Sequence, residues 1–233
     1  MSAFRGLLAE PGATSEPRVT PIRESTREQV RSQAYSATAS AHDEQIHALV
    51  QQLFFRNASS PVRHVAFAPV EGSTSTAMLC LDVARALAAE DSYDIGLIDA
   101  QTESVPLQME LEIAPPIHGE ATWPIAPRLW MVPRESWLPD GCGCRVSDQN
   151  LSRLREITAE FDFSILWCGP VSWLTTGIGR ACDGIVLVLA ADKTRRIVAA
   201  QIKGQLSKAQ IPLLGTVLAE RRFPVPEGLY RCL

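Results

Sequence analysis

Beyond an opening stretch without apolar rhythm, hydrophobic positions in this chain alternate between helix-like and strand-like spacing. From Asp43, a residue type suited to capping a helix, Ile46, Leu49, Val50 and Leu53 recur at three- and four-residue steps and form one apolar stripe. Pro61 breaks that helix, and 62–69 reads as a short buried strand. The Ala- and Leu-rich segment 77–90 predicts a helix, and 93–99 (Tyr-Asp-Ile-Gly-Leu-Ile-Asp) predicts a strand. Further along come a strand at 129–132, a helix at 148–160, a strand at 163–167 and a nearly continuous Val/Leu/Ile strand at 183–190. A helix at 194–209 and a strand at 213–218 complete the series, and Pro224 and Pro226 mark an extended segment running to Leu233. Strands apolar on both faces and separated by helices indicate an α/β fold, a mostly parallel sheet with helices on both faces. No internal repeat is visible.

Residues 1–41 differ in kind. They are rich in Ser, Thr, Pro, Arg and Ala, with three prolines between Pro11 and Thr26. Such a segment buries too little apolar surface to offset its ordering entropy, so a flexible tail is expected over 1–41 and one α/β domain over 42–233. Apolar residues make up 46% of the 233, enough for a substantial core. The net charge of −4 argues against a nucleic-acid partner. No apolar run approaches the roughly 20 residues that span a bilayer, and 1–31 lacks the apolar core of a signal peptide, so a cytoplasmic location is expected.

Candidate chemistry is sparse. The six cysteines are scattered, and only Cys142 and Cys144 stand close. Zinc would need two further soft ligands; His118 could supply one, but no second pair exists, and no metal is expected. The four histidines (His42, His47, His64, His118) have no motif spacing, and no Ser/His/Asp arrangement can be proposed. Trp123, Trp130, Trp137, Trp167 and Trp173 read as core and loop packing, or as an aromatic contact surface for which Trp123 to Trp137 is the better exposed candidate. Lys193, Arg195, Arg196, Lys203 and Lys208 follow one predicted helix and its start, as a solvated face or a contact for a partner loop.

The strand 65–68 leads into Pro69-Val70-Glu71-Gly72-Ser73-Thr74-Ser75-Thr76 and then a helix. Strand, Gly-containing loop and helix start is the layout of a phosphate-binding loop, whose backbone N–H groups and helix dipole favour an anion. A nucleotide also needs a lysine there to neutralise its β- and γ-phosphates. The first lysine in the chain is Lys193, no arginine lies between Arg63 and Arg85, and Glu71 adds negative charge. Taken alone, the segment reads equally as an ordinary Ser/Thr-capped helix start.

In order along residues 43–233, several segments resemble the cytoplasmic domains of bacterial polysaccharide-biosynthesis tyrosine autokinases, within the ParA/MinD-like class of P-loop ATPases. Residues Val70 to Thr76 occupy the place of that family's Gly-Glu-Gly-Lys-Ser-Thr loop. Leu97-Ile98-Asp99-Ala100 is similar to its second strand end, and Phe161 to Pro170 to its Tyr-Asp-Tyr-Val-Ile-Ile-Asp-Thr-Pro-Pro segment. Asp183 to Leu189 with Thr194-Arg195-Arg196, and Leu214 to Ala219, complete the resemblance. It implies a P-loop NTPase-like fold of the ParA/MinD and tyrosine-autokinase type.

The departures fall on the chemistry. Trp167 stands where the family has an Mg²⁺-organising aspartate, and an indole offers no oxygen to a hard cation. The loop lysine is missing. Glu44, His47 and Val50 stand where the oligomer-forming helix carries Glu-x-x-Arg-x-x-Arg, and Tyr230 is the only tyrosine after Tyr93 in place of a Tyr-rich tail. Only Asp99 keeps its identity, and an aspartate at a strand end is as often a cap as a catalyst. Two lost electrostatic contacts, each worth roughly 3–4 kcal/mol, imply a rate fall on the order of 10⁴–10⁶.

The resemblance therefore implies no catalytic residue, a degenerate loop at Glu71, Gly72, Ser73, Thr74, Ser75 and Thr76, and no bound cofactor. The implied role is a non-catalytic partner or regulator in exopolysaccharide or capsule synthesis and export. Its partner would be an inner-membrane chain-length (co-polymerase) protein, the chain being peripheral there and able to form a homo-oligomer. The alternative is an active, divergent ATPase or tyrosine kinase, using ATP and Mg²⁺ with cations supplied by a partner; Asp99, the Gly72 loop and Arg195/Arg196 motivate it. A partitioning ATPase is disfavoured by the missing lysine and the lack of a basic surface.

Overall fold

Strand β1, His64–Pro69, shows how the sheet is built: Val65 and Phe67 face one core layer, Ala66 and Ala68 the other, all fully buried. The computed structural model describes residues 41–56, 61–71, 75–90, 92–102, 105–115, 121–138, 146–191 and 193–219. Contacts divide the chain into two compact units, Met1–Asp43 and Glu44–Leu233, and every described strand lies in the second. The expected tail and the extended segment after 219 fall outside the described residues, residue 41 excepted.

Helix α1 covers residues 41–50 and runs into a π-helical turn at Gln51–Phe55. There follow β1, α2 (Ser75–Ala88), β2 (Ile95–Asp99), the single-turn α3 (Leu107–Glu110), β3 (Trp123–Ala126) and β4 (Leu129–Val132). A 3₁₀ turn at Arg134–Ser136 precedes α4 (Asp148–Thr158), β5 (Phe163–Trp167), α5 (Trp173–Gly179), β6 (Gly184–Ala190), α6 (Arg196–Lys208) and β7 (Leu213–Ala219). The seven strands lie in the order β3-β4-β2-β5-β1-β6-β7, parallel except for β3 against β4. Consecutive strands β1 and β2 therefore flank β5, and α2 spans them. This brings the carboxyl ends of β1, β2 and β5 together, the place where open α/β sheets bind ligands.

Two apolar layers cover the sheet. One joins Ile46, Val50 and Phe54 to the buried face of α2 (Ala77, Cys80, Leu81, Ala84, Leu87) over Phe67, Leu97 and Ile165. The other joins Leu154 of α4, Ile178 of α5 and Ile202 and Leu206 of α6 over Ala66, Ile98, Leu166 and Ile185. The α1 stripe continues through the π turn, where Phe54 and Phe55 meet Phe163 edge-on at 5.4 and 5.8 Å, and Phe163 meets Tyr93 at 4.9 Å.

Four sequence expectations need correction. Residue 41 is already helical, so Asp43 lies inside α1 rather than capping it. Strand β3 went unread because Pro124 argues against a strand; it is tolerated because β3 is an edge. Helix α5 has two glycines and two threonines in seven residues, too little propensity to announce it, and is set by Ser172 and Thr175 in a capping box. Trp123 and Trp137, the better candidates for an exposed aromatic surface, are buried, while Trp130 is half-buried. The five basic residues Lys193, Arg195, Arg196, Lys203 and Lys208 are all exposed.

At the amino end of the sheet, the Asp183 carboxylate accepts from the backbone N–H groups of Arg63 (2.6 Å) and His64 (2.8 Å), tying β1 to β6. His64 Nδ1 lies 3.3 Å from Ser164 Oγ on β5. Burial lowers the His64 pKa from its ordinary value, outweighing the attraction of Asp183. The native state thus prefers neutral imidazole, so this group's stability is full above pH about 6.5 and is lost as pH falls through that value. Urea unfolding of wild type and His64→Gln is expected to show a larger loss between neutral and mildly acid pH in wild type. Equal losses would contradict this assignment.

Candidate functional site

The candidate loop leaves β1 at Pro69. Val70 donates its N–H to Val188 O at 3.0 Å, and Val171 donates to Pro69 O at 3.2 Å, so the exits of β1, β5 and β6 are stitched together. Val70 is buried and Glu71 exposed. Gly72, Ser73 and Thr74 lie outside the described residues. Ser75, half-buried, opens α2, and Thr76 is fully buried with its Oγ1 lacking a hydrogen-bond partner. The chain supplies no cationic side chain between Arg63 and Arg85, so what this loop offers an anion is backbone N–H and the α2 dipole.

Asp99 and Trp167 are register partners at the ends of β2 and β5. Both Asp99 oxygens are engaged: Oδ1 accepts from Gln101 N and Oδ2 from Leu107 N, each at 2.9 Å. The second bond meets the first residue of α3, so the aspartate satisfies an amide that the helix itself cannot, acting as a cap from eight residues upstream. Asp99 is fully buried, and its backbone carbonyl accepts from Trp137 Nε1 at 2.8 Å. Burial pushes the carboxyl up to about 6, overriding the two amides and the nearby Arg134 guanidinium, which pull it down.

Trp167 lies in the α2-side core layer, 5% exposed. Its carbonyl accepts from Ala100 N at 2.9 Å, and Cys168 donates to Phe67 O at 3.0 Å, binding the strand ends laterally. Beyond it, the Gln101 side chain lies across Gly169 so closely that a Cβ there would meet Gln101 Oε1 at 2.0 Å. Burial pushes the Cys80 and Cys168 thiols well up, which keeps them protonated and unreactive. Among the described residues no group of three His, Cys, Asp or Glu could hold a metal ion; Cys142, Cys144 and His118 lie outside them.

The structure thus gathers Asp99, Trp167 and the start of α2 at the carboxyl end of the central strands, with Glu71 exposed at the loop's entry. Glu44 and His47 are exposed on α1, whereas Val50 is fully buried. Sequence reasoning offered Trp137 as a candidate for an exposed aromatic surface, not beside Asp99, and did not single out Arg134. Arg134 is 8% exposed and donates through Nη1 to Gln101 O at 3.3 Å. Both sit about 35 residues from Asp99 in sequence, and no local spacing announces them.

No protein-family model matches the sequence, and no curated protein does. Solved structures do match its fold. The chain is similar to the kinase domain of VpsO at 13% identity and TM-score 0.62, over 79% of this chain and 98% of that one. It is similar to the kinase domain of the Escherichia coli tyrosine kinase ETK at 12% identity and TM-score 0.57, over 78% of each chain. A ParA family ATPase from Chlorobium tepidum TLS matches at 13% identity and TM-score 0.54, over 67% of this chain and 73% of that one. The chain has the P-loop NTPase-like α/β fold of the ParA/MinD and tyrosine-kinase-domain type.

Because the Asp99 pKa is raised from 3.8 to about 6, this group's stability contribution is full below pH about 4 and is lost as pH rises through 6. The loss totals about 3 kcal/mol, at 1.36 kcal/mol per pH unit. Asp99→Asn resembles the protonated acid and carries no such charge. Its stability is expected to lack this component, so its deficit against wild type shrinks or reverses between mildly acid and neutral pH, read as urea midpoints. A constant deficit would refute the assignment.

Proposed function

We propose that this chain is a non-catalytic relative of the polysaccharide-biosynthesis tyrosine autokinases, acting through its surface as a partner or regulator in exopolysaccharide or capsule synthesis and export. The observation that carries the reading is the closed strand edge at Asp99 and Trp167. The Asp99 carboxylate is buried and holds two backbone amides, and beside it an indole occupies the end of β5. Phosphoryl transfer depends on cations and positioned oxygen ligands for Mg²⁺. The residues present do not fit Mg²⁺-ATP: the loop has no cation, both Asp99 oxygens are engaged by backbone amides, and Trp167 supplies none.

The family resemblance supports an inner-membrane chain-length (co-polymerase) protein as the partner, with the chain held peripherally against it. The structural neighbours include the VpsO and ETK kinase domains, which supports the kinase-domain side of the resemblance. No described helix is long and apolar enough to cross a membrane.

A thermal-shift and calorimetric titration of the full chain with ATP and Mg²⁺ tests the proposal. Ligand at a hundred times its Kd would stabilise the fold by about 2.7 kcal/mol, an effect readily measured. The expected outcome is no stabilisation and no hydrolysis. Micromolar affinity with turnover, or phosphotyrosine formed in the presence of a membrane partner, would instead establish the divergent-enzyme reading.

A further inference from the structure

A cavity of about 150 Å³ lies at the opposite end of the sheet, lined by Arg85, Ile113, Ala114, Trp123, Pro124, Ile125 and Leu129. Arg85 stands in the last turn of α2, and Leu129 opens β4 beside the first residue of β2. The site is therefore separate from the phosphate-loop edge. Its lining side chains among the described residues are aliphatic and indole apart from Arg85, the one charged residue among them.

One buried hydrogen-bond donor beside this cavity is unmet, and one exposed cation has no ion-pair partner among the described residues. Arg85 is exposed and takes part in none of the ion pairs found among the described residues. Trp123 is 7% exposed, and its Nε1–H is buried without a hydrogen-bond partner. Buried donors in native proteins are nearly always satisfied, and an exception calls for an explanation. Aliphatic and indole side chains beside a guanidinium with no ion-pair partner describe the complement of a compact anion with an apolar body, and the unmet indole N–H is buried in the same wall. A cavity of this volume accommodates about one benzene-sized ring.

We propose that this cavity is a binding site for a small organic carboxylate with a single-ring or branched apolar body, its carboxylate held by Arg85 and its body against Trp123, Ile125 and Leu129. Guanidinium is the preferred partner for a carboxylate because its planar fork can donate two parallel hydrogen bonds. The indole N–H beside the cavity gives the site an internal reporter.

The test is titration of the ¹⁵N-labelled full chain with benzoate, with benzyl alcohol as the neutral ligand of similar shape. The Trp123 indole resonance is assigned by its absence in Trp123→Phe, and Arg85→Gln alters an exposed helical position that the fold does not need. Saturable benzoate binding that moves the Trp123 resonance is expected, weakened about tenfold or more in Arg85→Gln. Benzyl alcohol is expected to bind more weakly than benzoate and equally in both proteins. Benzoate binding that Arg85→Gln leaves unchanged, equal affinity for the two ligands in wild type, or failure of benzoate to saturate would each overturn the proposal.

Discussion

The Asp99 carboxylate, buried and held by the amides of Gln101 and Leu107, sets the geometry at the carboxyl end of the sheet. It turns the chain sharply out of β2, caps α3 and so delivers Leu107 into the core layer beneath α2. Trp137 fastens to the carbonyl of the same residue, and Asn150 of α4 donates to the Trp137 carbonyl at 3.2 Å. A chain of bonds therefore runs from β2 through the 3₁₀ turn to α4. Desolvation of the carboxylate works against the fold at neutral pH, and the organisation it provides offsets that cost. The edge of a parallel sheet ordinarily presents such groups outward to a ligand. Here the chain's own backbone takes them.

Much of the architecture was legible because a parallel sheet covered on both faces writes itself as continuous apolar runs. Residues Ile95 to Asp99, Phe163 to Trp167 and the span from Gly184 to Val188 are buried at every position, and no amphipathic alternation competes with that signal. The elements that escaped are those whose stability is not local. Strand β3 exists because β4 pairs with it, despite Pro124. Helix α5 rests on a capping box and on Ile178 reaching the core, since its glycines and threonines supply little propensity. Asp43 looked like a cap because its residue type is right, but the helix is already running two residues earlier.

The site was legible in its losses more than in its contacts. That the loop lacks a lysine and that β5 ends in tryptophan are facts of residue identity, available without coordinates. What Asp99 does depends on a helix amide eight residues on and on a tryptophan 38 residues on. Periodicity and motif spacing carry no information about such partners. The tryptophans teach the same lesson: proline-rich surroundings suggested exposure for Trp123 and Trp137, yet each is a filler between packed elements.

Four positions that carry charge in the resembled family, the loop lysine and those of His47, Val50 and Trp167, are apolar or uncharged here, and Val50 and Trp167 are core positions. Val50 is fully buried among Ile46, Phe54 and the α2 face, so an arginine there would have to bury its charge. Trp167 adds a side chain that can bury about 200 Å² to the α2 layer, worth at most about 5 kcal/mol at 25 cal/mol per Å². An aspartate at the same place would favour a cation at the expense of that packing. Active sites are commonly the parts of a fold that sacrifice stability for chemistry. On the proposed reading, a chain freed from catalysis can refill such positions with apolar volume, and the direction of change at Val50 and Trp167 is the one this physics favours. Both side chains are packed into one continuous core.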